Sequence, residues 1–146
     1  MTTRADIVRV ARGYIGTRFH EYGRAPGVGL DCAGLVICAM RDTGLAAPSF
    51  DVREYSQKPD GTLLRHCDAH LVRIAKNTMQ PGDAIVVVTD KDPQHLGILA
   101  DYRGAPGVLS IIHASNDPRY MRVIEMRLMF STDIRFAAAY AFPGIE

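Results

Sequence analysis

The first 44 residues contain two stretches whose apolar positions recur at helical spacing. In the first stretch, four apolar residues fall at i, i+3, i+4 and i+7: Ile7, Val10, Ala11 and Tyr14. This spacing predicts an amphipathic helix, with Thr3 and Asp6 spaced as a capping pair at its start. Gly16 follows the last apolar position and is the predicted stop.

The second stretch predicts a helix over residues 32–41, with Asp31 as its N-cap and Gly44 beyond its end. Its core-facing positions are Leu35, Val36, Ala39 and Met40. Residues 16–30, which join the two helices, contain four glycines and Pro26. That composition predicts an irregular loop.

A third helix is predicted over residues 62–75. Its apolar side is formed by Leu63, Leu64, Cys67, Leu71 and Ile74. The opposite side carries His66, His70 and Arg73. Residues 45–61, which precede it, are rich in turn formers such as Pro48, Pro59 and the Asp60-Gly61 pair.

After the turn at Pro81-Gly82-Asp83, the chain changes from helical spacing to short apolar segments separated by turn residues. These segments predict strands over residues 84–88, 95–102, 108–113, 122–126 and 136–141. Because helices come first and short turns join the strands, we expect an α+β fold with an antiparallel sheet. Residues 1–146 contain no repeat or linker, and their number suits a single domain.

Charge and composition exclude several classes of function. The chain has 17 Lys and Arg against 16 Asp and Glu, a formal net charge of +1. Generic binding to nucleic acid or to an anionic membrane needs a larger basic field, so we expect neither. No apolar run approaches the roughly 18 residues of a membrane span.

The N-terminus and the cysteines bear on where the protein works. Residues 1–16 carry four charged side chains where a secretory signal peptide needs an unbroken apolar stretch. We therefore expect synthesis in the cytoplasm without such a signal. The three cysteines include no CxxC pair, which argues against a disulfide framework or a cysteine-rich zinc module.

Residues 29–36, reading GLDCAGLV, contain the strongest candidate for chemistry. They place Cys32 in the first turn of a predicted helix, where unpaired backbone N–H groups and the helix dipole favour a thiolate. Asp31 would oppose this if its charge faced the sulfur, but would fix the helix start if it accepted capping bonds. A buried structural cysteine is the alternative interpretation.

A thiolate needs a partner that takes and returns a proton, and histidine is the usual choice. His95 begins one predicted strand and His113 ends the next. A hairpin would bring the two strands side by side, so the second imidazole could orient the first. For either histidine alone, a half-buried imidazole bonded to backbone is the alternative.

Two other clusters have simpler interpretations. His66 and His70 share a helical face at i, i+4, but no third ligand is obvious, so we expect a solvated face and no metal. Cys38 lies on nearly the opposite side of the helix from Cys32, which predicts packing and no disulfide between them.

Taken in order, these residues resemble the NlpC-type cell-wall cysteine peptidases, a branch of the papain-like superfamily. The matching segments are Gly16-Thr17-Arg18-Phe19, DCAGLV at 31–36, Pro81-Gly82-Asp83, HLGI at 95–98, and Ile112-His113-Ala114. Within that family, the chain most resembles the subgroup encoded in phage and gene-transfer-agent tail modules. The segments that carry this finer likeness are Gly23-Arg24, residues 27–30, Tyr55 and residues 59–61.

The resemblance implies a papain-like fold in which N-terminal helices carry Cys32 and pack on an antiparallel sheet that carries the histidines. It implies Cys32 as nucleophile, His95 as general base and His113 as the residue that orients His95. The backbone N–H of Cys32 would help to hold the oxyanion. The implied substrates are peptidoglycan stem peptides, often at the bond between D-glutamate and diaminopimelate.

Two departures from the family pattern are visible. The family usually has a tyrosine where Phe19 stands, so His20 or Tyr22 must supply the missing hydrogen bond, or the oxyanion site is weaker. With Asp31, these three residues are the candidates for oxyanion or substrate binding. The interval from His95 to His113 is also longer than the family suggests, and residues 101–109 look like an extended hairpin turn.

We therefore expect a cysteine peptidase that needs no cofactor and works as part of a phage-like tail. It would act on stem peptides in the periplasm of the target cell during DNA delivery, beside other tail or baseplate proteins. The alternative is a structural tail-tip subunit with little or no hydrolysis, which Phe19 favours. Acyl transfer by the same residues is a third possibility.

Overall fold

The computed structural model describes residues 1–56, 60–89 and 94–146. The helices of this part are α1 (Arg4–Gly13), α2 (Cys32–Asp42) and α3 (Thr62–His70). Its strands are β1 (Arg24–Ala25), β2 (Gly29–Leu30), β3 (Val72–Ile74), β4 (Ala84–Thr89), β5 (His95–Asp101), β6 (Leu109–Ala114), β7 (Val123–Arg127) and β8 (Ile134–Ala141). Pro59, assigned from sequence to a turn-rich stretch, lies outside the described residues.

Both N-terminal helices begin where their capping residues predict. Thr3 accepts a hydrogen bond from the backbone N–H of Asp6, whose side chain accepts from the N–H of Thr3 in return. Asp31 caps α2 by accepting from the N–H of Gly34. Gly44, with a φ of 79°, follows the end of α2 in the left-handed conformation that favours glycine.

The third helix is shorter than predicted. It ends at His70, and residues 72–74 form strand β3, which pairs with β8. The sequence pattern did not separate the two because Leu71 and Ile74 also fit a helical face. The backbone groups of residues 72–74 find their hydrogen-bond partners on β8, and not within a longer α3. The loop before α2 also contains structure that its composition did not predict, the short hairpin of β1 and β2.

The larger sheet is antiparallel throughout and has the order β3-β8-β4-β5-β6-β7. The five predicted strands are all present, with boundaries shifted by one or two residues. Strands β5 and β6 form a hairpin in which Asp101 pairs with Leu109. The long interval between His95 and His113 is therefore the predicted extended turn.

The helices cover one face of this sheet. Along β4, Ala84 and Val86 belong to the main core, whereas Ile85 and Val87 belong to a smaller cluster, so the two sets point to opposite faces. Helix α2 packs on β5 and β6, the strands that carry the two predicted histidines. Among the described residues, no helix has the length and apolar character that crossing a membrane requires.

Candidate active site

Cys32 is the first residue of α2 and is half-buried. Its position in the first helical turn puts it beside backbone N–H groups that no intrahelical carbonyl accepts. Because α2 packs on β5 and β6, the start of this helix belongs to the same layered unit as His95 and His113. The local setting is the one that favours a thiolate.

The carboxylate of Asp31, next to Cys32, is 1% exposed and is bonded on both oxygens. Its Oδ1 accepts from the N–H of Gly34 at 2.7 Å and from Nη1 of Arg24 at 3.0 Å. Its Oδ2 accepts from the N–H of Tyr22 at 2.9 Å and from the hydroxyl of Tyr55 at 2.5 Å. The carboxylate thus fixes the helix start and ties the preceding loop to it.

The guanidinium of Arg24 stabilises this arrangement. It donates to Asp31, Asp51, the hydroxyl of Tyr55 and the carbonyl oxygens of Gly23 and Val52. The side chain is 7% exposed, so a buried cation lies against the carboxylate beside Cys32. In the sequence, Arg24 and Tyr55 stand out only as part of a family resemblance, and no periodicity marks either residue as buried.

Close backbone packing explains the glycines around the site. A Cβ on Gly34 would lie 2.0 Å from the carbonyl oxygen of Gly23, and one on Gly29 would lie 2.8 Å from Cβ of His20. Cβ atoms essentially never come this near to other atoms. The loop can therefore press against the first turn of α2 only because these positions carry no side chain.

The two predicted histidines are in direct contact. Nε2 of His95 lies 2.6 Å from Nδ1 of His113, and the rings meet edge to face at 86°. His95 is 6% exposed and His113 is 9% exposed. Burial, together with the neighbouring charge of His95, lowers the pKa of His113 to about 3. His113 is consequently neutral at ordinary pH and can accept a hydrogen bond from His95.

Phe19 and His20 lie beside the start of α2. Phe19 is half-buried and forms a parallel bridge with Leu30, two residues before Cys32. Its backbone N–H donates to the carbonyl oxygen of Met121 at 2.9 Å, which links this segment to the edge of the sheet near β7. The ring of His20 is exposed.

Tyr22 has a φ of 58°, a conformation rare for a residue with a side chain, and its N–H points to Asp31. Its hydroxyl donates to the carbonyl oxygen of Tyr55 at 2.8 Å. The ring centroids of the two tyrosines are 5.1 Å apart. The hydroxyl proton of Tyr22 is thus committed to the protein, and the roles of Phe19, His20 and Tyr22 toward a substrate stay predictions.

The remaining cysteines are buried. Burial raises the pKa of Cys38, and it raises the pKa of Cys67 to about 12. The ring of His66 is hydrogen-bonded to the carbonyl oxygen of Glu54 at 2.8 Å and stacks on that of His70. Within residues 1–56, 60–89 and 94–146, no group of three His, Cys, Asp or Glu side chains could hold a metal ion.

A cleft of about 410 Å³ borders the histidine pair. Its walls include His95, His113, Ser115, Asn116, Arg119, Tyr120, Ile124 and Met126. This volume is within the range of ligand sites in proteins. The cleft offers polar and apolar surface beside the histidines, as a peptide segment would require.

Comparison with known proteins gives a consistent result. Residues 16–133 match the sequence profile of the NlpC/P60 family. The NlpC/p60 domain of the peptidoglycan hydrolase SagA superposes with a TM-score of 0.64 at 19% identity, over 97% of this chain and 100% of that one. NlpC2 from Trichomonas vaginalis superposes with a TM-score of 0.65 at 19% identity, over 97% of this chain and 47% of that one.

At this level of identity, the two structures establish the fold and nothing further. They confirm the predicted papain-like α+β arrangement of helices on an antiparallel sheet. No curated protein sequence is significantly similar to the chain.

Proposed function

Because the chain belongs to the NlpC/P60 family, we propose that it is a cysteine peptidase that hydrolyses amide bonds in peptidoglycan stem peptides. The observation that carries the proposal is the contact of 2.6 Å between His95 and His113 on strands that pack against the Cys32 helix. A buried pair of imidazoles, on strands that pack against a helix that begins with cysteine, would supply a base and an orienting group for that cysteine as nucleophile.

In the proposed reaction, His95 takes the proton of Cys32, and the sulfur attacks the carbonyl carbon of the scissile amide. The backbone N–H of Cys32 donates to the oxyanion that forms. His95 then gives its proton to the leaving amine, which departs as the acyl group stays on sulfur. Water, with His95 again as base, hydrolyses the thioester and restores the thiol.

His113 contributes by holding His95 in place. When His95 carries two protons, its Nε2–H donates to Nδ1 of the neutral His113. This bond fixes the ring of His95 with Nδ1 as the nitrogen that exchanges a proton with Cys32. His113 therefore acts as the third residue of a triad without changing its own charge.

Digestion of Gram-negative peptidoglycan followed by mass spectrometry tests the proposal. The wild type should release new stem-peptide fragments, and Cys32→Ala should release none. Cys38→Ala is the matched control, because it removes a thiol from the same helix and should still give the fragments. A folded wild type that yields no fragment would contradict the proposal, as would equal digestion by Cys32→Ala.

We further propose that the enzyme is a component of a phage-like tail, where it opens the cell wall locally during DNA delivery. The support is the likeness of Gly23-Arg24, residues 27–30 and Tyr55 to proteins of tail modules. Particles purified from producing cells should contain the chain by mass spectrometry. Particles that carry Cys32→Ala should adsorb to target cells but deliver DNA poorly.

The second candidate is a structural tail subunit that keeps the fold and hydrolyses little. Phe19 favours it, because a phenylalanine lacks the hydroxyl that the family's usual tyrosine brings to the site. On this function, Cys32→Ala particles would deliver DNA as well as the wild type. Particles that lack the whole chain would fail to assemble or to deliver DNA.

A further inference from the structure

The carboxylate that precedes the proposed nucleophile presents an electrostatic problem. A negative charge close to a thiol disfavours the thiolate, and Asp31 is adjacent to Cys32 in the chain. Water does not screen this charge, because Asp31 is 1% exposed. The carboxylate is held inside the protein, since its oxygens cap α2 and accept from the N–H of Tyr22. The fold must therefore balance this charge internally.

We propose that Arg24 and Tyr55 are positioning residues that keep Cys32 reactive by neutralising and fixing the carboxylate of Asp31. The inference rests on the proposed role of Cys32 as a nucleophile. Arg24 supplies the opposite charge at 3.0 Å, and the Tyr55 hydroxyl donates to the other carboxylate oxygen at 2.5 Å. Arg24 also donates to that hydroxyl at 2.9 Å, so the three side chains form a closed ring of contacts.

Arg24 is also bound by groups outside this ring. Arg24 donates from Nε to Asp51 at 2.8 Å and from Nη2 to the carbonyl oxygen of Val52 at 2.8 Å. Asp51 is itself bonded to Nε of Arg53 at 2.7 Å. Because a second arginine partners Asp51, the charge of Arg24 is not cancelled there and remains available to Asp31.

The ionisation of the ring members agrees with this arrangement. Burial and the hydrogen bond to Asp31 raise the pKa of Tyr55, so its hydroxyl keeps its proton and donates it. Burial opposes the charge of Arg24, but hydrogen bonds with Asp51 and Tyr55 raise its pKa, so it stays a cation. The charged or titratable residues that contact this ring or Asp51 include Tyr22, Cys38, Arg41 and Arg53, and His95 lies on β5, on which α2 packs.

The test is the pH profile of Cys32 alkylation, read by tandem mass spectrometry that separates Cys32 from Cys38. Arg24→Gln leaves the Asp31 charge without its cation and should lower the Cys32 rate at pH 6.5 by about 10-fold, which is a shift of about one pH unit in the profile. Adding Asp31→Asn removes the charge and should restore the profile. A purely structural role for Arg24 predicts no such rescue, because the double variant lacks more native contacts than the single one.

Milder variants keep the test decisive if Arg24→Gln does not fold. Tyr55→Phe removes one donor to Asp31 and should slow Cys32 about 3-fold at pH 6.5, whereas Arg24→Lys keeps the charge but loses the planar fork and should fall between the wild type and Arg24→Gln. An unshifted profile in folded Tyr55→Phe or Arg24→Gln would overturn the inference, as would a double variant no faster than the single one. Alkylation needs no peptidoglycan, so a failure of the proposed peptidase activity is seen separately in the digestion experiment.

Discussion

Nε2 of His95 and Nδ1 of His113 are 2.6 Å apart, and this contact defines how the pair can share protons. At this distance, one of the two nitrogens must donate a hydrogen to the other. Because the pKa of His113 is lowered to about 3, its ring stays neutral, and a charged His95 must be the donor. The bond therefore strengthens when His95 holds the proton taken from Cys32, which is when the proposed reaction needs it.

Replacing His113 should reduce catalysis more than substrate binding. His113→Ala removes the acceptor that orients His95, and we expect kcat on a stem-peptide substrate to fall about 100-fold. His113→Gln keeps an acceptor oxygen and should lose less activity. Steady-state kinetics on both variants checks this, and equal kcat values for alanine and glutamine would show that orientation by an acceptor is unimportant.

Stability in acid should depend on His113. Its pKa is about 3 in the folded chain and 6.5 in the unfolded chain, so between these values the unfolded chain binds more protons. The free energy of unfolding should therefore fall as pH drops from about 6.5 toward 3, by about 1.4 kcal/mol per pH unit from this group. Above pH 6.5 the group is neutral in both states and has no such effect.

Urea unfolding of the wild type and of His113→Gln at a series of pH values isolates the contribution of His113 to the unfolding free energy. As pH falls below 6.5, the unfolding free energy of the wild type should fall faster than that of His113→Gln, because only the wild type carries this buried imidazole. Parallel pH dependences would show that His113 is protonated in the folded chain after all.

The three thiols should differ sharply in reactivity. Burial raises the pKa of Cys38 and Cys67, whereas Cys32 is half-buried at a helix N-terminus. With iodoacetamide below pH 7, Cys32 should be labelled at least about 10-fold faster than the other two. In His95→Ala, this advantage should disappear, and equal labelling of all three thiols in the wild type would contradict the assignment of Cys32.

Local patterns were sufficient for most of the fold. Cap residues marked the starts of α1 and α2, and short apolar segments between turn formers marked the five main strands. The pattern failed where tertiary pairing decides, because β3 continues an apolar helical face and becomes a strand only by pairing with β8. A sequence window cannot contain a partner that lies about 70 residues away.

In the candidate site, too, some contacts could be predicted from the sequence and others could not. The hairpin predicted that His95 and His113 would meet, because both lie on adjacent strands at matching ends. Arg24 and Tyr55 were not expected as supports for Asp31, since long-range contacts of an arginine leave no periodic signal. The one usable signal was the N-cap position of Asp31, because a carboxylate that becomes buried there requires a cation or donors from elsewhere in the chain.

Gly34, in the first turn of α2, offers the most direct test of how the preceding loop shapes the site. Gly34 has no room for a side chain, because a Cβ there would lie 2.0 Å from the carbonyl oxygen of Gly23 and 3.0 Å from Oδ1 of Asp31. Backbone cannot yield as a flexible side chain does, so Gly34→Ala should push the loop away from α2. We expect a loss of about 1–3 kcal/mol in unfolding free energy, together with slower alkylation of Cys32.

Gly13→Ala is the matched control for this change. Gly13 is also a helical glycine, the last residue of α1, and its added Cβ would meet no atom within 4 Å. Alanine should there raise stability by up to about 1 kcal/mol, as helix propensity predicts, and leave Cys32 labelling unchanged. Denaturant unfolding and thiol labelling of both variants would decide the matter. If Gly34→Ala behaved like Gly13→Ala, close packing of the loop on α2 would not be what positions Cys32.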